Sequence, residues 1–241
     1  MIELRPAPVD TLADSGAAYD AIYENDLLRQ RDSFYIWILD ELRVAPGGTL
    51  LDVSCGVGPL LRAAAAAGLR PTGLDFSAAA LAEARELLAG AALVLGDAER
   101  LPFGDATFDY VTNIGSIEHY FAPERGAAEL ARVLRPDGRA AVLLPNAFAL
   151  LHVLHVWRSG DVFDDGQPIQ RYATRQRWSE LLESNGLVVE RTLKYERERP
   201  RTWRDVLWHL PRPGKLARLA LTPFLPLDAA NCFLFICRRR S

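Results

Sequence analysis

The chain is poor in cysteine, nearly devoid of lysine, and has no long apolar run. Its three cysteines, Cys55, Cys232 and Cys237, are an odd number with neither CxxC nor metal-ligand spacing. That excludes a disulfide scaffold and a zinc module, and points to reduced thiols in a cytoplasmic protein. No stretch reaches the roughly 18 uninterrupted apolar residues that a membrane span requires. The most apolar one, 140–157, is broken by Pro145, Asn146, His152 and His155, so no integral membrane segment is expected. The opening residues, Met1-Ile2-Glu3-Leu4-Arg5-Pro6, lack the basic flank and apolar block of a secretion signal. Repeats and low-complexity segments are missing too, apart from an alanine run at 63–67.

What remains is ordinary globular composition: 241 residues, 49% hydrophobic and 24% charged. Such a chain buries a sizeable core without staples, and one domain spanning 1–241 is expected. The net charge of −3 conceals an asymmetry. Residues 1–140 hold 12 basic and 21 acidic residues, net −9, whereas residues 141–241 hold 16 and 10, net +6. With 26 arginines to 2 lysines, the basic residues look more like coding bias than a nucleic-acid patch, and no nucleic-acid partner is expected.

Hydrophobic spacing predicts helices over 17–42, then a break at Pro46-Gly47-Gly48. Short apolar runs alternating with helical segments follow. Strands are expected at 49–53, 72–74, 92–95, 108–112 and 139–144, with helices at 59–67, 77–88 (capped by Ser77) and 124–134, the last closed by Pro136-Asp137-Gly138. This alternation implies an α/β fold with a parallel sheet and helices on both faces. Beyond it, a helix at 174–184 and strands at 187–196 and 232–237 break the pattern. Two elongated connections, 146–172 and 197–231, are long enough to be lids. The expected organisation is therefore a helical cap (1–44), a ligand-binding core (45–145), and a C-terminal half (146–241) that carries both lids.

The chemistry concentrates at strand ends. In Leu50-Leu51-Asp52-Val53-Ser54-Cys55-Gly56-Val57-Gly58 a buried strand runs into a carboxylate and a glycine-bearing turn that opens a helix. Gly56 and Gly58 would let backbone approach a ligand, at the turn where parallel sheets bind nucleotide-like molecules. Asp75 ends the second strand, where a carboxylate can accept from both ribose hydroxyls. Asp97, in Gly96-Asp97-Ala98, ends the third, placed to accept from an adenine amino group beside the Ala98 N–H.

With Leu101-Pro102-Phe103, Phe108-Asp109-Tyr110-Val111 and Arg132-Val133-Leu134-Arg135-Pro136-Asp137-Gly138, these motifs resemble the class I S-adenosylmethionine-dependent methyltransferases. The likeness is to their small-molecule branch (type 11, ubiquinone- and menaquinone-biosynthesis-like), and it covers about 45–145. It implies a Rossmann-like, seven-stranded, mostly parallel sheet with an antiparallel last strand. It also implies S-adenosylmethionine as cofactor, S-adenosylhomocysteine as product, and a small-molecule methyl acceptor. By that resemblance Asp52, Ser54, Cys55 and the Gly56/Gly58 turn would hold the methionine portion. Asp75 would take the ribose, Phe76 would flank the adenine, and Asp97 with Ala98 would read its edge. Asn113 and Ile114 would offer carbonyls to the methionine ammonium, and Tyr23, four residues from Tyr19, would close over the cofactor or else pack in the core. Ser54 departs from the family's usual glycine, its hydroxyl standing where a water contact would be.

Methyl transfer to an oxygen needs a base. His119 in Ser116-Ile117-Glu118-His119-Tyr120 is the candidate, as base or substrate ligand, with Glu118 as partner; the alternative is a structural histidine bonded to a carbonyl. No metal is expected, since Thr112-Asn113-Ile114-Gly115 lacks acidic ligands. O-methylation is therefore the first expectation, with N- and C-methylation close behind. The Arg- and Trp-rich 197–231 stretch would be a lid over an apolar acceptor, a surface in peripheral contact with lipid, a dimer contact or a plain amphipathic flap. Two other readings stand beside this one. A catalytically silent cofactor-binding subunit would share every motif. An NAD-dependent oxidoreductase would need a small residue where Leu61 stands.

Overall fold

The structure is a computed structural model and describes residues 1–5, 11, 30–88, 91–164, 166–196, 200–201 and 203–240. Tyr19 and Tyr23 lie outside the described residues. In chain order the elements are β1 (Ile2–Leu4), α1 (Asp32–Leu42), β2 (Thr49–Val53), α2 (Pro59–Ala66), β3 (Arg70–Asp75), α3 (Ala78–Leu87), β4 (Ala92–Leu95) and β5 (Phe108–Ile114). They continue with α4 (Pro123–Val133), β6 (Leu134–Pro145), α5 (Leu150–Ser159), β7 (Gln170–Tyr172), α6 (Arg175–Ser184), β8 (Leu187–Tyr195), α7 (Trp203–His209), α8 (Pro213–Leu221) and β9 (Cys232–Arg239).

Seven strands form one sheet in the order β4-β3-β2-β5-β6-β9-β8, in which β9 alone runs antiparallel to its neighbours. The remaining pair, β1 and β7, makes a separate antiparallel ribbon with Glu3 opposite Arg171. Strand alternation sends successive residues to opposite faces, and each face has its own core. Leu51, Val53, Val142, Leu144, Phe233 and Phe235 pack on the α4 and α6 side. Leu50, Ala141, Leu143, Leu234 and Ile236 pack with α1, α2 and α3 on the other. At about 25 cal/mol per Å² of buried apolar surface, two continuous cores of this kind supply the main driving force for folding.

Three expectations shift. The last parallel strand begins at Leu134 rather than 139, because Leu134 pairs with Phe108 before the ladder resumes at Tyr110 and Arg139. Pro136-Asp137-Gly138 is thus an outward bulge within a strand, and Gly138 is required there because a Cβ would stand 2.8 Å from the Asp109 carbonyl oxygen. The two elongated connections also contain regular structure. The first holds α5 and β7, and the second holds α7 and α8. Among the described residues no helix is long and apolar enough to cross a membrane.

Candidate functional site

The parallel strands end along one edge of the sheet, and a cavity of about 330 Å³ opens there, within the size range of small-molecule sites. Its wall is built from the loops after β2, β3, β4 and β5. Asp52, Ser54, Cys55, Gly56, Phe76, Asp97, Ala98, Ile114 and His119 all border it.

The loop after β2 is forced into shape by demands on φ at three alternate positions. Ser54, Gly56 and Gly58 all have positive φ (63°, 52° and 77°), a region that costs a residue with a Cβ about 1–2 kcal/mol. At Ser54 that cost is offset by a hydrogen bond of 2.9 Å with the Tyr120 hydroxyl. The serine hydroxyl is therefore engaged with protein. Gly58 also departs from expectation, since it does not border the cavity. A Cβ there would lie 2.4 Å from Leu88 Cδ1, so this glycine lets the start of α2 pack on the end of α3.

Asp52 is buried at the end of β2, where its Oδ1 accepts from the Thr112 hydroxyl at 2.6 Å. Burial pushes its carboxyl up to about 7; the Thr112 bond opposes this and the neighbouring Asp75 charge adds to it. Asp75 is almost wholly buried and is not on the cavity wall. Its two oxygens accept from the Gly56 N–H (2.8 Å) and the Ser77 N–H (2.9 Å), so in this structure it holds the turn rather than facing into the cavity. Asp97 Oδ1 accepts from the Glu99 N–H at 2.8 Å, which orients the loop beside Ala98. Burial raises the Cys55 thiol well above its ordinary range and keeps it protonated.

Asn113 is fully buried and does not border the cavity; its amide nitrogen donates to the Tyr120 hydroxyl (2.7 Å) and the Val53 carbonyl, and its oxygen accepts from the Ile117 N–H. Ser54, Asn113 and Tyr120 thus staple the loop after β2 to the loop after β5. Gly126 of α4 makes room for the tyrosine ring, because a Cβ there would stand 2.5 Å from Tyr120 Cδ2. Sequence reasoning assigns no role to Tyr120 or Thr112, since Thr112 acts through the register of β5 against β2 and Tyr120 through its hydroxyl bonds to two other segments.

His119 Nδ1 lies in short contact with the Ile169 carbonyl oxygen. A carbonyl only accepts, so Nδ1 carries a proton, and in the neutral ring the lone pair resides on Nε2. That nitrogen lies 3.8 Å from Glu118 Oε1. The turn is fixed further by Arg171, whose buried guanidinium donates to the carbonyls of Glu118 (3.1 Å) and Tyr120 (2.5 Å) and pairs with Glu3. Among the described residues no three His, Cys, Asp or Glu side chains gather closely enough to hold a metal ion.

A sheet of this order with one antiparallel strand, and a cavity at the end of its parallel strands, defines the class I methyltransferase fold. It is shared with a Burkholderia thailandensis 1,6-didemethyltoxoflavin-N1-methyltransferase (TM-score 0.64, 16% identity, 98% of this chain and 93% of that one). It is also shared with the (4+2)-cyclase SpnF (TM-score 0.67, 21% identity, 97% and 98%). Residues 51–142 match the family described as Methyltransferase domain. A demethylmenaquinone methyltransferase of Renibacterium salmoninarum is 31% identical over 142 residues, 58% of this chain and 60% of the relative. Another, of Beutenbergia cavernae, is 38% identical over 104 residues, 43% of each. The chain spans about half the length of the curated relatives it matches.

Proposed function

We propose that this chain transfers a methyl group from S-adenosylmethionine to a small, hydroxylated, largely apolar acceptor. The observation that carries the reading is the convergence of Asp52, Gly56, Phe76, Asp97 and Ile114 on one cavity that His119 also borders. These residues suit the cofactor. Asp52 offers a carboxylate to an ammonium, and Gly56 brings backbone close. Ile114 offers its carbonyl to the same ammonium, Phe76 gives apolar contact to a base, and Asp97 and the Ala98 N–H supply one acceptor and one donor for its edge. When bound, the cofactor supplies a methyl group on a positively charged sulfur.

The protein's part is to align the acceptor and move its proton. With its Nδ1 proton committed to Ile169, His119 takes the acceptor's hydroxyl proton on Nε2, and Glu118 stabilises the imidazolium that results. Deprotonation activates the oxygen itself, our first choice, and also raises electron density on an adjoining ring carbon. The second outcome has support from relatives named demethylmenaquinone and ubiquinone/menaquinone C-methyltransferases. The SpnF likeness is the observation that favours a second reading, since the same fold serves a protein named for another reaction.

The test is release of S-adenosylhomocysteine with a panel of phenols and hydroquinones, using wild type and His119→Gln. Turnover should fall about 10²–10⁴-fold in the variant, the range for loss of a general base. Turnover unchanged by the substitution would remove His119 from the reaction. No turnover of any acceptor by a protein that binds the cofactor would favour the silent-subunit alternative.

A further inference from the structure

Two helices turn their apolar side to solvent. In α7, Asp205 and His209, four residues apart, are 3% and 0% exposed, while Trp203, Leu207 and, just beyond the helix, Leu210 are 82%, 62% and 59% exposed. The usual amphipathic order is inverted. Asp205 faces inward because it pairs with Arg31 at 2.7 Å, beside Gln30 on the cavity wall. Leu221 and Phe224, at the end of α8 and just beyond it, are also exposed. In α5, Leu-Leu-His-Val-Leu-His-Val-Trp, no residue is buried and Trp157 is 81% exposed.

Both helical inserts leave the sheet at the same edge. Pro145 ends β6, Tyr195 ends β8, and both stand in register with Cys232 of β9. The cavity opens along this edge, and Tyr195 and Cys232 border it. Charge singles out the second insert. Residues 200–227 contain five cations, of which Arg201 and Arg218 pair with Asp40 and Glu196, and a single acid, Asp205, which is the one buried against Arg31. Arg212 and Lys215 lie over the Trp208 ring at 4.3 and 4.1 Å. A protein–protein interface is depleted of charge at its centre, whereas exposed tryptophan and leucine interleaved with arginine and lysine characterise a helix lying in a lipid headgroup layer.

We propose that α5 and the α7–α8 pair form a docking surface for an anionic lipid bilayer, which sets the mouth of the cavity against the membrane so that an apolar ligand enters from lipid. The docking does not depend on methyl transfer and is measured without it. The full chain is sedimented with vesicles of phosphatidylcholine alone and of phosphatidylcholine containing phosphatidylglycerol. Co-sedimentation is expected with the anionic vesicles, weakened by high salt and reduced at least about tenfold by the double substitution Trp203→Ser, Leu207→Ser. Both side chains are exposed, so an unchanged thermal melt verifies that the variant folds. Protein left in the supernatant with the anionic vesicles overturns the proposal, as does equal sedimentation of variant and wild type. If instead sedimentation velocity shows a dimer that the same substitutions dissociate, the face belongs to a second copy of the chain and the lipid reading fails.

Discussion

Asp52 makes the unliganded protein less stable at neutral pH than a neutral residue would, and Asp52→Asn tests this. The carboxyl moves from an ordinary 3.8 to about 7 on folding, chiefly through burial. Because the folded-state value is raised, the protonated side chain is fully compatible with folding below pH 3.8. Stability is then lost as pH rises from there and levels off above about 7. A shift of about three units at about 1.36 kcal/mol each sets an upper limit of about 4 kcal/mol by pH 8. Asparagine mimics the neutral form and keeps an oxygen for the Thr112 hydroxyl, which now donates to Asp52 at 2.6 Å. Urea denaturation should therefore find the variant more stable than wild type at pH 8 and nearly equal to it at pH 4. Binding should move the other way. On the proposed reading the variant would lose a charge-assisted contact with the methionine ammonium, about 1.5–3 kcal/mol or roughly 10–100-fold in affinity. Wild-type affinity should rise with pH between 6 and 7.5, as Asp52 ionises, while the variant's stays flat. A variant destabilised equally at both pH values would refute the argument, because it would show that the carboxyl titrates normally in the folded state.

Tyr120→Phe deletes the hydroxyl shared by Ser54 and Asn113; it should cost about 1–3 kcal/mol in denaturant unfolding and weaken cofactor binding, whereas an unchanged midpoint would show that the staple is idle. Gly58→Ala places a Cβ 2.4 Å from Leu88 at a φ of 77°, and should lower stability by about 1–3 kcal/mol; a loss of affinity without a loss of stability would return this glycine to the ligand. Arg171→Met removes the cation that holds the Glu118 and Tyr120 carbonyls. Turnover should fall while cofactor affinity changes little, and a fall in both alike would assign the residue to folding alone.

The legible parts of the fold were those written in local sequence. Apolar runs of strand length between helical segments gave the parallel sheet, and the strand-end acids pointed to its loops. Asp97 and Gly56 border the cavity as their positions imply, because each sits two or three residues beyond a strand end. Asp75 and Asn113 occupy equivalent positions but turn inward, toward N–H groups and a tyrosine hydroxyl supplied by distant residues. Nothing in a single strand announces such partners: Thr112 meets Asp52 only because β5 and β2 pair in register. The 197–231 stretch was legible only as a set of alternatives, because composition does not say which side of a helix is buried; the Asp205–Arg31 pair reveals that in α7 the buried side is the one opposite Trp203 and Leu207.

The central claim is a cofactor site, and calorimetric titration of the purified chain tests it most directly. S-adenosylmethionine and S-adenosylhomocysteine are titrated in turn, with NAD as control and Asp97→Ala as second protein. The account predicts micromolar binding of both sulfur ligands, about −8 kcal/mol, weakened by the substitution, and no heat with NAD. A folded protein that binds neither sulfur ligand, or that binds NAD instead, would contradict it.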